Sequence, residues 1–274
     1  MGHKKKAGRG DEPSALDRSP VRARELALAV AVVVLCARAG ELRVLLVREG
    51  ADQDADRWAL PGGLVGAEEP LEAAAQRELR AETGLALDLS HIEQLRTYGA
   101  PDRDDRPDRR VVTVAYFAIQ SDPVEPEAGT DAEPARWVAA GPILAGSVPL
   151  AFDHAAIVRD AVERLRHDLE HTAVATAFFK EAFTEAQLRS VYEAVWGAGG
   201  DAGKYGLDAP NFHRTIATMS PPMVERVPDQ RAATGGRPAA LYRPSDYVRE
   251  GGPAARLERP ILRPKDGLAK RRVH

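Results

Sequence analysis

The stretch that most constrains this chain runs from Gly62 to Leu85 and reads GGLVGAEEPLEAAAQRELRAETGL. A glycine pair opens it, acidic residues and a proline follow, and a run rich in Ala, Leu, Arg and Glu ends at Gly84. Proline suits the first turn of a helix and glycine suits the position after the last, so the pattern predicts a helix over Pro70–Thr83. The preceding WALPGG is predicted to form a tight turn, with Gly62-Gly63 freeing the backbone.

The predicted helix carries an incomplete set of carboxylates. Glu78 and Glu82 are four residues apart, which is about 40° around a helix, so their carboxylates share one face. Ala81, three residues after Glu78, would share that face. Clustered carboxylates bind Mg²⁺ through hard oxygens, and a metal that bridges substrate phosphates is their usual use. The alternative is a solvated acidic helix face.

The segments on either side of this helix predict a mixed α and β domain. The apolar runs LALAVAVVVLCA and LRVLLVRE flank Gly40 and predict a β-hairpin. Three strand-like stretches follow, and helical periodicity covers Asp153–Leu169. The stretches are Ile92–Tyr98, Val111–Ile119 and Ala135–Val138. The single cysteine, Cys36, is interpreted as a buried thiol, and it suits a reducing cytoplasm.

The pattern changes at about residue 173. The segment FTEAQLRSVYEAVWG predicts an amphipathic helix with Thr184 as its N-cap. LDAPNFHRTIATM predicts a second, shorter helix capped by Asp208 with Pro210 in its first turn. MVERV and AALYR follow, separated by a polar loop. Helix, turn, helix and a two-stranded wing is the order typical of a winged helix-turn-helix.

Charge is divided unevenly along the 274 residues, a length that suggests two domains. Residues 1–174 hold 22 Lys and Arg against 30 Asp and Glu, whereas residues 175–274 hold 16 against 11. Such asymmetry is expected when only the second half meets a polyanion. The longest apolar run is too short to span a membrane, and no signal peptide is recognised, so we expect a cytoplasmic protein without a membrane partner.

The stretch from Gly62 to Leu85 has the spacing of a known motif. Gly63, Glu69, Arg77-Glu78-Leu79 and Gly84-Leu85 are spaced as in G-x5-E-x7-R-E-U-x-E-E-x-G-U, with U aliphatic, so the stretch resembles the Nudix box. The resemblance implies metal-ligating glutamates and an arginine that acts as a structural ion-pair partner. Here the glutamate pair reads Ala81-Glu82, so one ligand is missing. Efficient hydrolysis is not expected, and Glu78 and Glu82 form a vestigial metal site that holds Mg²⁺ weakly at most.

A second segment bears on the ligand. Arg103-Asp104-Asp105-Arg106 resembles the R-D-P-R segment of the ADP-ribose-type Nudix branch, with Asp105 in place of proline. Guanidinium groups suit pyrophosphate ligands. The effector-binding residues are therefore predicted to be Arg103, Asp104, Arg106, Glu69 and Glu82. The alternative for this segment is a charged, solvated loop, and His154 is interpreted as a hydrogen-bonding residue at a helix start rather than a ligand.

Both halves together resemble the Nudix-related transcriptional regulators of NAD metabolism, over about residues 25–245. The resemblance implies an α+β protein: a Nudix α/β/α sandwich (24–152), a linker helix (153–172) and a winged helix-turn-helix domain (173–245). Residues 1–23 are predicted to form a disordered tail and 246–274 an irregular one.

The same resemblance implies a homodimeric repressor of NAD biosynthesis or salvage genes. It would bind double-stranded operator DNA, sense ADP-ribose or a related NAD-derived nucleotide, and need neither catalytic residues nor a cofactor. The alternative is a Mg²⁺-dependent ADP-ribose or nucleotide pyrophosphatase with an accessory C-terminal module. Glu69, Glu78 and Glu82 would then bind the metal.

The second helix of the C-terminal half is the expected reader of DNA, because the N-terminal residues of such helices face base edges. Phe212, Ile216 and Met219 are predicted to be core residues. The predicted DNA-binding residues are Asn211, His213, Arg214 and Thr215 in the helix, and Arg231 and Arg237 in the wing. Arg214 suits guanine, whereas Asn211 could read adenine or cap the turn. The wing arginines suit phosphates, with ordinary solvated side chains as the alternative.

Overall fold

The computed structural model describes residues 25–48, 57–84, 92–104, 109–121, 135–198, 208–232, 238–258 and 260–261. Several predictions fall outside these described residues. They concern the tail over 1–23, Asp105, Arg106, Arg237 and residues 262–274.

The N-terminal hairpin forms as predicted. Strand β1 (Glu25–Arg38) pairs antiparallel with β2 (Glu41–Arg48), and Arg38 lies opposite Glu41. The two residues between the strands, Ala39 and Gly40, have φ of 52° and 77°. Positive φ at both positions is the geometry of a type I′ turn, which matches the twist of the flanking strands.

Among the described residues, five further strands complete one mixed sheet of seven. They are β3 (Trp58–Ala59), β4 (Gly62–Leu64), β5 (Ile92–Tyr98), β6 (Arg109–Ile119) and β7 (Arg136–Ala139). The order is β3-β2-β1-β6-β5, with β4 paired to β1 and β7 to β2. The central strands β1 and β6 are parallel from the Glu25–Arg109 pair to the Leu35–Ile119 pair.

Helices cover both faces of this sheet. They are α1 (Leu71–Thr83), α2 (Ala140–Leu144) and α3 (His154–His171), and α1 ends at Gly84 with φ 66° as predicted. Alternate β1 residues point to opposite faces. Val32 shares a buried cluster with Leu79 of α1, whereas Val33 shares one with Ile157 and other residues of α3. The α/β/α sandwich is confirmed, and Cys36 is fully buried on the α1 side.

The C-terminal half has the predicted winged helix order. A 3-10 turn (Val174–Phe178) precedes β8 (Phe183–Thr184), α4 (Glu185–Gly197), α5 (Ala209–Ala217), β9 (Val224–Ala232) and β10 (Ala239–Pro244). The three strands form a sheet in the order β8-β10-β9. Thr184 and Gln187 form a reciprocal capping box at α4, and the Asp208 side chain caps α5.

Two local predictions were wrong. WALPGG forms β3 and β4 around Leu60-Pro61 rather than a simple turn, because its ends pair with β2 and β1. The irregular tail predicted from residue 246 begins instead with helix α6 (Asp246–Gly251), whose first turn is capped by Ser245. Val248 of α6 is buried in the core. Leu257 and Ile261 are also buried, and their amides donate to the carbonyls of His171 and Glu170 at the end of α3.

One hydrophobic core links the two halves. The cluster beneath the α3 face of the sheet continues into Tyr192, Trp196 and Phe212 of the winged helix. Arg166 of α3 also donates to the carbonyl of Val195 in α4, at 3.3 Å. Helix α3 therefore packs against both halves. No helix in the described part of the chain has both the length and the apolar composition needed to cross a membrane.

Candidate effector pocket and DNA-binding surface

Arg77 organises the loop and helix of the Nudix-like motif. Its guanidinium donates to both Glu69 oxygens at 2.7 and 2.8 Å, to Glu78 Oε1 at 2.7 Å and to the Leu64 carbonyl at 3.1 Å. Glu69 also accepts from the Gly66 amide at 3.1 Å. These bonds, above all the one from Arg77, lower the pKa of Glu69 to about 2. The predicted structural role of Arg77 is confirmed.

Positions 62 and 63 require glycine because neighbouring atoms lie very close to the backbone there, and not because the backbone has a positive φ. Both lie in β4, where a Cβ on Gly62 would overlap the Val30 carbonyl and a Cβ on Gly63 would overlap the Glu78 carboxylate. Glu82 Oε2 accepts from the Gly62 amide at 2.8 Å. Glu78 and Glu82 therefore both reach β4, where Glu82 is bonded to the Gly62 amide while Glu78 remains paired with Arg77.

The carboxylates of this motif do not form a complete metal shell. Glu69 and Glu78 are both engaged by Arg77, and Ala81 is an exposed residue without a donor atom. Within the ranges that the structure describes, no three His, Cys, Asp or Glu side chains converge in a way that could hold a metal ion. The described carboxylates therefore do not present a preformed near-octahedral oxygen site of the kind that Mg²⁺ requires.

A cavity of about 240 Å³ lies beside this motif. Its lining includes Arg48 from β2, Gly62 and Gly63 from β4, Glu82 from α1, and Arg103 with Asp104 from the loop after β5. Three of the predicted effector residues, Glu82, Arg103 and Asp104, are thus brought together. Glu69 does not line this cavity, since its carboxylate is turned to Arg77 and the Gly66 amide.

Arg103 is buried, and its side chain is held by three hydrogen bonds. Only 4% of its side chain is exposed, and it donates to both oxygens of Asp153, at 2.6 and 3.0 Å. A third bond reaches Thr113 Oγ1 at 2.7 Å. A guanidinium has five N–H donors, so donors remain for a ligand in the cavity. Because Asp153 directly precedes α3, Arg103 ties the cavity to the start of that helix.

His154 occupies the adjoining position, at the first residue of α3. Its Nδ1 accepts the Leu60 amide at 3.0 Å, which confirms its hydrogen-bonding role and requires the proton on Nε2. The ring also lines the cavity, as does Phe152. Sequence reasoning discounted His154 as a ligand and overlooked Phe152 and Arg48, since no local pattern places these residues beside Gly62.

The buried His154 is expected to make the protein less stable in acid. Burial lowers the pKa of His154 to about 4, below the value of about 6.5 in an unfolded chain. As the pH falls, His154 is therefore protonated in the unfolded chain before it is protonated in the folded one. This difference lowers the free energy of unfolding by about 2 kcal/mol between about pH 7 and about pH 4.5.

Chemical denaturation at those two pH values would measure this contribution. His154→Asn is the matched variant, because it keeps an acceptor for the Leu60 amide but cannot titrate. We expect a smaller acid loss in the variant than in the wild type. An equal loss in both proteins would show that His154 does not carry the effect.

The candidate DNA-binding surface is the exposed face of α5. Asn211, His213 and Arg214 are exposed, whereas Phe212, Ile216 and Met219 are buried as predicted. Thr215 is partly buried. The surface is pre-arranged by local bonds, since His213 Nδ1 lies 2.7 Å from Glu185 Oε2 and Arg214 donates to Asn211.

Asn211 takes part in the helix cap. Its backbone amide donates to Asp208 Oδ1 at 3.0 Å and its side chain donates to Oδ2 at 2.6 Å. Asn211 Oδ1 accepts from Arg214, so the residue both secures the turn and orients the neighbouring guanidinium. In the wing, Arg231 is exposed on β9 and donates at 3.5 Å to the Pro238 carbonyl.

Two domain models match this chain. The NUDIX domain matches residues 25–160, and the NrtR DNA-binding winged helix domain matches residues 176–243. Their order along the chain is that of the sandwich and the winged helix described above.

Individual proteins resemble one or both halves. The ADPR responsive transcriptional repressor NtrR of Acinetobacter baylyi is 32% identical over 206 residues, which cover 74% of this chain and 76% of that protein. Shewanella oneidensis NrtR, solved with a 27mer DNA, is 26% identical with a TM-score of 0.62, covering 85% of this chain and 98% of that one. An ADP-ribose pyrophosphatase of Methanocaldococcus jannaschii is 34% identical over 118 residues, covering 43% of this chain and 64% of that enzyme.

Proposed function

This chain belongs to the family of Nudix-related transcriptional regulators, and from that membership we propose that it is an ADP-ribose-responsive repressor of NAD biosynthesis or salvage genes. The observation that carries the proposal is a Nudix sandwich with an incomplete carboxylate set joined through one core to a winged helix. We assign residues 24–152 to the sensor, 153–172 to the linker helix and the part from 173 onward to the DNA-binding domain. Helix α6, which packs beside β10, belongs with the latter.

The cavity supports ADP-ribose as the effector. Arg48 and Arg103 provide guanidinium groups of the kind that recognise pyrophosphate oxygens. Asp104 and Glu82 provide acceptors for ribose hydroxyls. The A. baylyi relative, similar along both halves, is described as ADPR responsive.

The winged helix supports the DNA partner. Arg214 projects from an exposed recognition helix, and a buried aromatic core that includes Phe212 and Tyr192 fixes that helix. In a homodimer, two such helices would lie about 34–36 Å apart on a pseudo-palindromic operator.

The start of α3 supplies a route between the two sites. A ligand in the cavity meets Arg103, Phe152 and His154, and α3 carries any displacement of these residues toward α4. ADP-ribose can release DNA only if it binds more tightly to the conformation with the wrong helix spacing. The Arg103–Asp153 pair is the contact we assign to that discrimination.

We propose that the sensor binds ADP-ribose without hydrolysing it efficiently. Ala81 stands at a ligand position, Glu69 and Glu78 are engaged by Arg77, and the remaining donors do not fit Mg²⁺. The rival function is a Mg²⁺-dependent ADP-ribose pyrophosphatase. It is favoured by the resemblance to the M. jannaschii enzyme, which is confined to part of the chain.

Ala81→Glu should create or raise Mg²⁺-dependent release of AMP from ADP-ribose. The new side chain would add a third carboxylate to the face that carries Glu78 and Glu82. Lowering the activation free energy by only about 1.4 kcal/mol raises the rate tenfold. Ala81→Gln is the control, since it adds similar bulk without charge. Brisk AMP release by the wild type would contradict an impaired site, whereas no release by Ala81→Glu would mean that other parts of the site have diverged too.

The proposed function is tested by a mobility-shift titration. The labelled fragment is the promoter of an NAD-biosynthesis gene from the same genome, at moderate salt. We expect a shift that an unrelated fragment of equal length does not compete away. The absence of a shift would contradict the repressor.

A further inference from the structure

A pair of histidines lies at the opposite end of α3 from the effector cavity. The last turn of the helix reads HDLEH, with His167 and His171 four residues apart on one face. Their rings are stacked, with centroids 4.5 Å apart and an inclination of 28°. Joint chelation therefore requires the exposed His167 ring to rotate until both rings face one ion. Two histidines at this spacing on a helix can chelate one metal ion, as in helical zinc sites.

The hydrogen bonding of His171 suits a metal ligand. Its Nδ1 lies 2.8 Å from the carbonyl oxygen of His167, so the ring donates its Nδ1 proton to the helix backbone. That bond places the lone pair on Nε2. A ligating histidine is usually fixed in this way by a second bond from its other nitrogen.

The surroundings leave room for an ion and its water. A cavity of about 350 Å³ is lined by both histidines and by Glu93, Arg164, Asp168 and Arg256. The carboxylates are held by Arg164, at 2.5 Å from Glu93 and 2.8 Å from Asp168. Because both carboxylates are paired with Arg164, we expect the imidazoles of His167 and His171 to be the groups that bind an ion.

We propose that His167 and His171 form a binding site for a divalent transition metal ion of the Zn²⁺, Ni²⁺ or Cu²⁺ class. Imidazole pairs favour these borderline ions over Mg²⁺ and Ca²⁺, which require oxygen ligands. Since no third His, Cys, Asp or Glu completes a site among the described residues, water fills the other positions. The site is distinct from the nucleotide pocket and does not depend on the function proposed above.

The position of the pair gives the ion a structural consequence. The carbonyl of His171 accepts the Leu257 amide at 2.9 Å, and the Ala173 amide donates to the Ala255 carbonyl at 3.0 Å. A metal that bridges His167 and His171 would therefore stiffen the turn on which the C-terminal segment is anchored, just before the winged helix begins. Binding to the folded chain alone would raise its thermal stability with metal concentration.

Calorimetric titration of the tag-free, full-length protein with NiCl₂ tests the site, with all variants and their reference protein carrying His3→Gln. That substitution is needed because Gly2-His3 can itself bind Ni²⁺ and Cu²⁺. We expect one saturable site per chain, weakened by roughly 100-fold or more in His167→Gln and in His171→Gln, because even the loss of an outer-shell partner costs 10–100-fold. Glutamine preserves helix propensity, so the metal-free melting temperatures should match. His213→Gln, which removes an exposed imidazole from α5, is the control and should bind Ni²⁺ as the wild type does.

Copper resonance spectra identify the ligands in the same variants. One equivalent of Cu²⁺ should show hyperfine coupling to two imidazole nitrogens in the wild type and to one in each single variant. Equal Ni²⁺ affinity in the wild type and the double variant, or a copper spectrum unchanged by both substitutions, would overturn the proposal.

Discussion

Arg103→Ala is expected to lower the free energy of unfolding by about 3 kcal/mol, because removing one partner of a buried ion pair leaves the other charge uncompensated. Arg103 is almost wholly buried and makes two bonds to Asp153. The variant should also lose its response to ADP-ribose, since the pair joins the cavity to α3. Urea denaturation measures the first effect, and operator titration with and without ADP-ribose measures the second.

Arg96→Ala is the matched control for that experiment. It removes another arginine–aspartate pair that reaches α3, but Arg96 and Asp160 are 63% and 36% exposed. Exposed pairs contribute at most about 1 kcal/mol, so this variant should remain stable and responsive. Where Arg103→Ala is too unstable to assay, Arg103→Lys keeps the charge without the two-pronged geometry. Normal stability and normal release of DNA in Arg103→Ala would contradict the proposed coupling.

Arg214→Ala is expected to weaken binding to the operator by about 1–3 kcal/mol and to relax the preference for one base pair. Arg214 is exposed on α5 and is oriented by Asn211, which is itself held by the cap residue Asp208. Since the side chain contributes nothing to the core, affinity for ADP-ribose and stability should not change. Competition titrations with operators altered at single positions measure the loss of specificity.

Arg231→Ala provides the comparison within the wing. A phosphate contact carries no sequence information, so its loss should weaken all fragments alike and reduce the slope of affinity against salt by about one. If Arg214→Ala discriminated among operators as the wild type does, Arg214 would not be a base-reading residue.

Local patterns predicted much of the fold because each depends on residues close together in sequence. The two apolar runs on either side of Gly40 predicted the hairpin, and Gly84 predicted the end of α1. Thr184 and Asp208 predicted two helix starts by the same local chemistry. Arg77 could be assigned a structural role because its two carboxylate partners, Glu69 and Glu78, lie within eight residues of it.

The cavity could be predicted only in part because its key contacts join distant segments. The partner of Arg103 lies 50 residues further along the chain, and the Leu60 amide meets a histidine 94 residues away. Glu69 was predicted to bind the effector, but its carboxylate is bound by Arg77, eight residues away, and does not line the cavity. Helix α6 and the buried residues that follow it were not predicted, because the apolar residues of this segment are widely spaced. Their burial depends on contacts with residues far away in the sequence, such as the end of α3.

The central claim is that the Nudix pocket senses ADP-ribose and passes the signal to DNA without consuming the nucleotide. One measurement tests it directly: ADP-ribose is titrated into the protein bound to a fluorescent operator in the presence of Mg²⁺, and anisotropy and AMP are followed in the same sample. The account predicts that the operator is released while the ADP-ribose remains intact. Rapid AMP formation, with no operator binding that ADP-ribose relieves, would contradict it and identify the chain as an enzyme.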